Sequence, residues 1–110
     1  MKKKIYICGP MTGHKDFNFP AFFETERAFT KLGFECFNPA RMDIDIDGID
    51  RTGMTGNEEV PNLKEIAKRD LLAVLECDII YLLRGWEQDS KGSRAEWATA
   101  IWIGLEIIYQ

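Results

Sequence analysis

The chain lacks most of the features that would assign it to a polymer-binding, metal-binding or membrane class. It has no basic excess: 14 Lys and Arg stand against 18 Asp and Glu, a net charge of −4, whereas a protein that neutralises a phosphate backbone carries surplus cations. No nucleic-acid polymer is expected as a partner. No run approaches the roughly 18 apolar residues of a membrane span, and the basic start Met1 to Lys4 is followed by too few apolar residues before Gly9 to make a signal peptide. No membrane association is expected either. Cysteine is scarce, odd in number and dispersed, with Cys8, Cys36 and Cys77 each beside an apolar run; that pattern fits reduced thiols in a cytoplasmic protein. The one histidine, His14, cannot build a zinc site with cysteines so scattered. Neither a Walker loop nor a GxGxxG fingerprint occurs, so no cofactor is implied, and no repeat or low-complexity segment is visible.

What is present is the composition of an ordinary globular domain spanning residues 1–110: 45% hydrophobic and 29% charged, enough for one layered core and too little for two. Lys3 to Cys8 predicts a buried strand. Asn18-Phe19-Pro20 predicts a helix start with a capping asparagine, and that helix carries Ala21, Phe22, Thr25, Ala28, Phe29 and Leu32 on one face before stopping at Gly33. A short strand is expected over Phe34 to Phe37, a helix over Val60 to Glu76, a buried strand over Asp78 to Leu83, a helix over Gly92 to Gly104 and a last strand over Leu105 to Tyr109. Apolar strands alternating with helices imply an α/β fold: a doubly wound, flavodoxin-like parallel sheet of four or five strands, covered on both faces. Ala40 to about Glu59 is a long polar connection, beyond the usual length for a compact domain, and so either functional or mobile.

Ligands of such sheets bind beyond the carboxyl ends of the strands, where strand order reverses. Two segments belong there: the opening loop of ICGPMTG, with Gly9, Pro10 and Met11, and Arg84 to Lys91 after the third strand. Glycine in the opening loop either makes a tight turn or lets backbone N–H groups approach a ligand. Two carboxylates are out of place. Asp70 falls at the centre of the apolar stripe Leu63, Ile66, Ala67, Leu71 and Val74, with Lys64, Glu65, Lys68 and Arg69 on the other side. An ionised aspartate there must be paired or must reach a cleft. Glu96 is the only charge in AEWATAIWIGL, in the expected first turn of the third helix, where the helix dipole favours the carboxylate. It is either a simple helix-start glutamate or, with Asp70, half of an acid–base or nucleophilic pair at one sheet edge.

A strand ending in GPM, an aspartate in a helix ahead of an apolar strand, and Ser90-Lys91-Gly92-Ser93-Arg94-Ala95-Glu96 opening the next helix together resemble the nucleoside 2-deoxyribosyltransferases and their relatives, the 2'-deoxynucleoside 5'-monophosphate N-glycosidases. The resemblance runs over nearly the whole chain. It implies that Glu96 is a nucleophile attacking the anomeric carbon of the sugar, and that Asp70 is the acid or positioning carboxylate that helps the base leave. The intermediate would be resolved by water or by a second base, as in retaining glycoside cleavage. Gly9, Pro10 and Met11 would wall the sugar and base. Ser90 and Gly92, with Lys91 and Arg94 alongside, could hold a 5'-phosphate at the helix start, or the two cations could simply be solvated. Trp86 either stacks on a base or closes the core edge.

The sequence departs from that pattern in two respects. It ends at Gln110, directly after the fourth expected strand, and Arg41 to Asn57 looks like an insertion with the character of a lid. Within it Asp43, Asp45, Asp47 and Gly48 match half of an EF-hand loop, but the twelfth position is Met54 and no metal is expected. The third helix is apolar on nearly every side, so a homodimer or higher homo-oligomer is expected. The expected activity is cleavage of the N-glycosidic bond of a nucleoside or its 5'-monophosphate, by hydrolysis or base exchange. The alternatives are a non-catalytic nucleotide-binding module with the same pocket and a helix-mediated assembly protein.

Overall fold

A computed structural model describes residues 1–88 and 90–110; Asp89, in the loop after the third strand, lies outside the described residues. Four strands form one all-parallel sheet: β1 (Lys4–Cys8), β2 (Glu35–Phe37), β3 (Ile79–Leu82) and β4 (Glu106–Tyr109), in the order β2-β1-β3-β4. Ile5 pairs with Cys36 on one side and Ile79 on the other, and Leu82 pairs with Cys8 and Tyr109. Four helices flank the sheet: α1 (Phe19–Lys31), α2 (Pro39–Asp45), α3 (Leu63–Glu76) and α4 (Lys91–Ile103). This is the expected flavodoxin-like α/β fold, with four strands.

Because side chains alternate along a strand, the apolar runs of β1 and β3 supply two cores. Tyr6, Cys8, Ile80 and Leu82 face α3 and α4, where they meet Ala73, Val74, Cys77 and Ala100. Ile7 faces the other way and packs with Phe17, Phe19, Phe22, Ala40 and Leu83. Burial of a side chain such as Phe22, fully enclosed on α1, contributes ~1.5–3 kcal/mol. The buried face of α1 is narrower than its sequence suggests: Phe19 and Phe22 carry it, Phe29 packs on Tyr81 at 4.8 Å between ring centroids, and Ala28 and Leu32 are exposed.

Three elements differ from their sequence readings. α3 starts at Leu63 rather than Val60, since Pro61 lacks an N–H and Asn62 takes a left-handed conformation with φ 62°. α4 starts at Lys91, one residue earlier than Gly92, because Ser90 caps it: its Oγ accepts from the Ser93 N–H at 3.0 Å. The long polar connection contains α2, whose cap is Asn38, with Oδ1 accepting from the Ala40 N–H at 2.9 Å. Asn38-Pro39, read as a strand closure, is therefore also a helix start.

Asn18 occupies the expected cap position of α1 but does not cap it. Its Nδ2 donates to the Pro10 carbonyl at 3.0 Å, and its backbone is left-handed. Asp16, Phe17 and Asn18 are left-handed in succession, with φ of 59°, 49° and 61°. Such backbone costs each non-glycine residue ~1–3 kcal/mol, and burial of the Phe17 ring, 1% exposed, offsets ~1.5–3 kcal/mol of the total. The turn is also stitched to the segment read as a lid: Gly13 N–H donates to the Gly56 carbonyl at 2.8 Å, Asp16 N–H to the Met54 carbonyl at 2.8 Å, and Gly53 N–H to Asp16 Oδ1 at 2.6 Å. That segment is tied down, not free-standing. Among the described residues, no helix is long and apolar enough to cross a membrane.

Gly56 is where the two loops cross. Its φ is +97°, and a Cβ there would run into the His14 backbone. Gly56→Ala is expected to cost about 1–3 kcal/mol in urea denaturation, with loss of hydrogen-exchange protection at Gly13 and Asp16. Unchanged stability and protection would show that the loops are not held by this crossing.

Candidate functional site

The chain runs from β1 to β2 on one side of the sheet and returns to β3 on the other, so strand order reverses between β1 and β3. Gly9 follows β1 at this point, and a Cβ added to it would lie 2.8 Å from Cβ and Cδ1 of Leu83. Glycine is needed here for the close approach of the two strand ends. A cavity of about 710 Å³ opens above them, bounded by the opening loop, the segment after α2, and the facing sides of α3 and α4. This is a volume suited to a small organic ligand.

Six of the residues singled out from the sequence line this cavity together: Gly9, Met11, Asp70, Ser90, Gly92 and Glu96. Three lie elsewhere. Pro10 is buried against the following loop, 3.3 Å from where a Gly85 Cβ would be, with its carbonyl taken by Asn18. Trp86 packs at the core edge, its ring 5.3 Å from Trp97 and 6.1 Å from Tyr109, and does not line the cavity. Arg94 points away along the exposed side of α4 and donates from Nη1 to the Glu87 carbonyl at 3.2 Å. Lys91 remains on the cavity wall.

Glu96 is the sixth residue of α4, in its second turn and not the first, and would lie past the first turn even in a helix counted from Gly92. The helix-end field expected to keep it ionised is correspondingly weaker. Tyr6, fully buried on β1, donates its hydroxyl to Glu96 Oε2 at 3.0 Å. The thiol of Cys8, two residues along the same face, donates to the Ser93 carbonyl at 3.5 Å. Burial, and secondarily the charge of Asp70, push the Glu96 carboxyl up to about 8, against the opposing pull of Cys8, Tyr6 and Arg69. Burial also raises Tyr6 and Cys8 well above their ordinary values, so both keep their protons at neutral pH.

Asp70 is buried on α3, as its place in the apolar stripe requires, but that stripe faces the cavity more than the core. Leu63, Ile66 and Ala67 line the cavity wall with it. Arg69, expected on the solvent side, folds back instead. Its Nε donates to Asp70 Oδ1 at 2.9 Å, Nη2 to Asp43 Oδ1 at 2.9 Å and Nη1 to Asp47 Oδ2 at 3.1 Å. The second oxygen of Asp43 accepts from Arg51 Nε at 3.2 Å, both side chains being buried. Asp43 and Asp47 are thus committed to arginines, not arranged as a calcium loop. Burial pushes Asp70 up to about 6; Arg69 opposes this, while Asp43 and Asp47 add to it.

Tyr6, Arg69, Asp43 and Arg51 escape the sequence reading. Tyr6 shares a strand face with Cys8, a period-2 signal pointing to the helix that carries Glu96, but Arg51 sits in a segment with no periodicity at all.

A carboxyl raised on folding makes the folded state bind more protons than the unfolded one, so stability falls as pH rises between the two values. The Glu96 contribution is fully present below about 4.5, and it is lost as pH rises toward about 8. Glu96→Gln is expected to lose less stability than the wild type between pH 5 and pH 8.5, by more than ~1 kcal/mol in urea denaturation. Parallel pH dependences would mean that Glu96 ionises as an ordinary surface carboxylate.

No curated protein matches the chain. A family model does, over residues 3–109, which takes in every strand and helix and the whole carboxylate-lined cavity; the chain belongs to the family described as a domain of unknown function (DUF4406).

Proposed function

We propose that this chain breaks the N-glycosidic bond of a nucleoside 5'-monophosphate or nucleoside, with Glu96 and Asp70 as its working groups. The observation that carries this reading is the pairing of the two carboxylates, from separate helices, on one cavity at the sheet's reversal point. The resemblance of the GPM loop, Asp70 and the Ser90 to Glu96 motif to the nucleoside 2-deoxyribosyltransferases and nucleotide N-glycosidases supports it. In the reaction a Glu96 oxygen bonds to the anomeric carbon as the bond to the base nitrogen breaks. The departing electron pair goes to the base, which takes a proton from Asp70. Water or a second base then displaces the Glu96 oxygen, giving hydrolysis or base exchange.

Proton affinities bear on how this runs. With Asp70 near 6 and Glu96 near 8, the pair holds one proton around neutrality, and it rests on Glu96. Attack needs the same proton count with the other placement, the proton on Asp70. The start of α4 is suited to a phosphate: beside Ser90, Lys91 and Gly92, the Ser93 hydroxyl is buried with no hydrogen-bond partner among the described residues. This favours a nucleotide over a nucleoside. A second reading, a nucleotide-binding module without turnover, is favoured by the proton that Glu96 keeps up to about 8.

The test is base release from a panel of deoxynucleotides and nucleosides, followed by chromatography. Glu96→Ala is expected to abolish release in a folded protein, and Asp70→Asn to slow it by about 10²–10⁴. The rate should be bell-shaped in pH. It falls below about 6, where both carboxyls are protonated, and above about 8, where neither holds a proton to give. Nucleotide binding without any base release would favour the binding-module reading; near-wild-type turnover in Glu96→Ala would remove the nucleophile assignment. The chain is further proposed to act as a homodimer through α4, where Ile101 is 50% and Trp102 87% exposed; a monomer at micromolar concentration in sedimentation would refute this.

A further inference from the structure

The cavity has a second charged wall that bond cleavage does not use. Arg51 lines it, yet is only 4% exposed. Its guanidinium lies over the Phe17 ring, 5.0 Å from the centroid, and its Nε is held by Asp43. Among the described residues that bond to Asp43 is its one side-chain hydrogen bond, so Nη1 and Nη2 keep their donors. A buried arginine fixed on one edge and by one face, with its terminal nitrogens unengaged beside a cavity, is built to meet a ligand.

The surroundings decide what kind of ligand group it meets. Arg51 and Arg69 form one cluster with Asp43, Asp47 and Asp70, two guanidiniums against three carboxylates. There is no surplus positive charge to attract an anion, and the features suited to a phosphate are on α4. Neutral acceptors match donors whose charge is already balanced. The nearby wall is apolar, with the partly exposed Met11 and Val60 on it, which suits the flat faces of a heterocycle.

We propose that Arg51 reads the base of the substrate, presenting its terminal N–H groups to two adjacent acceptors, and so selects a 6-oxopurine. The O6 and N7 of guanine or hypoxanthine match that fork, whereas adenine brings its N6 amino group donor to donor. Asp43 is the positioning residue: its two oxygens hold Arg51 and Arg69, so the base-reading guanidinium and the partner of Asp70 are set by one carboxylate. The inference rests on the cavity being a nucleoside or nucleotide site.

Two measurements on the full chain separate its failure from that of the N-glycosidic reading. The first is kcat/KM for base release from dGMP, dIMP, dAMP, dCMP, dTMP and deoxyguanosine; the second is calorimetric binding of the same compounds to the Glu96→Gln protein. dGMP and dIMP are expected to exceed dAMP by about tenfold to a hundredfold. Arg51→Gln should abolish the excess of dGMP and dIMP over dAMP, leaving the ratio of dGMP to deoxyguanosine unchanged. Arg51→Met, which fills similar space without any donor, should do the same and serves if Arg51→Gln does not fold. If no base is released from any compound while binding keeps the guanine preference and its loss in the Arg51 variants, the cleavage reading fails and Arg51 stands. Equal use of dAMP and dGMP, a preference surviving in both variants, a collapse of the phosphate preference in place of the base preference, or no binding of any compound would each overturn the assignment.

Discussion

The cost of keeping two carboxylates out of water governs the rest of this structure. Among the described residues neither Asp70 nor Glu96 has a dedicated cation of its own: Glu96 has the hydroxyl of Tyr6, and Asp70 shares Arg69 with Asp43 and Asp47. Desolvation therefore outweighs the pairing, and both groups bind protons more tightly than free carboxylates do. A fold selected for stability alone would gain by replacing such groups with apolar ones. Both carboxyls instead line one cavity, where raised proton affinity suits proton transfer.

Around that pair, two devices hold the walls. On one side, Tyr6 and Cys8 project from the central strand toward α4, so the nucleophile candidate is aligned by the most deeply buried element of the sheet. On the other, an arginine and aspartate ladder runs from Asp70 through Arg69 and Asp43 to Arg51, joining α3, α2 and the segment after it. That segment in turn is sewn to the left-handed turn before α1. A movement of the Arg51 wall is thus resisted by backbone hydrogen bonds as well as by ion pairs, which argues for a pre-formed site over a loosely closing lid.

The fold and part of the site were legible because they rest on local patterns. Asp70 stands out as a charge in the middle of an apolar stripe, and Glu96 as the one charge in an apolar helix; either anomaly is visible to anyone who draws the helix. Tyr6 and Arg51 were not, since nothing local distinguishes a strand tyrosine that reaches a helix 90 residues away, or an arginine in a segment without period. Trp86 allows two roles in the sequence, stacking on a base or closing the core edge. An aromatic in a loop at the ligand edge suggests stacking on a base, but Trp97 and Tyr109 already occupy its neighbourhood, and only their arrival from α4 and β4 reveals that.

By itself the sequence determined the alternation of apolar strands and amphipathic helices, the parallel doubly wound sheet that follows, and the edge of that sheet where a ligand belongs. All of these depend on periodicity and chain connection. Only the tertiary structure decided which form the carboxyls take. A helix start suggested an ionised Glu96, whereas enclosure beside Tyr6, Cys8 and Asp70 leaves it protonated to about 8. The reason is physical: proton affinity in a protein is set by the solvent removed and the charges brought near, and both come from segments distant in sequence.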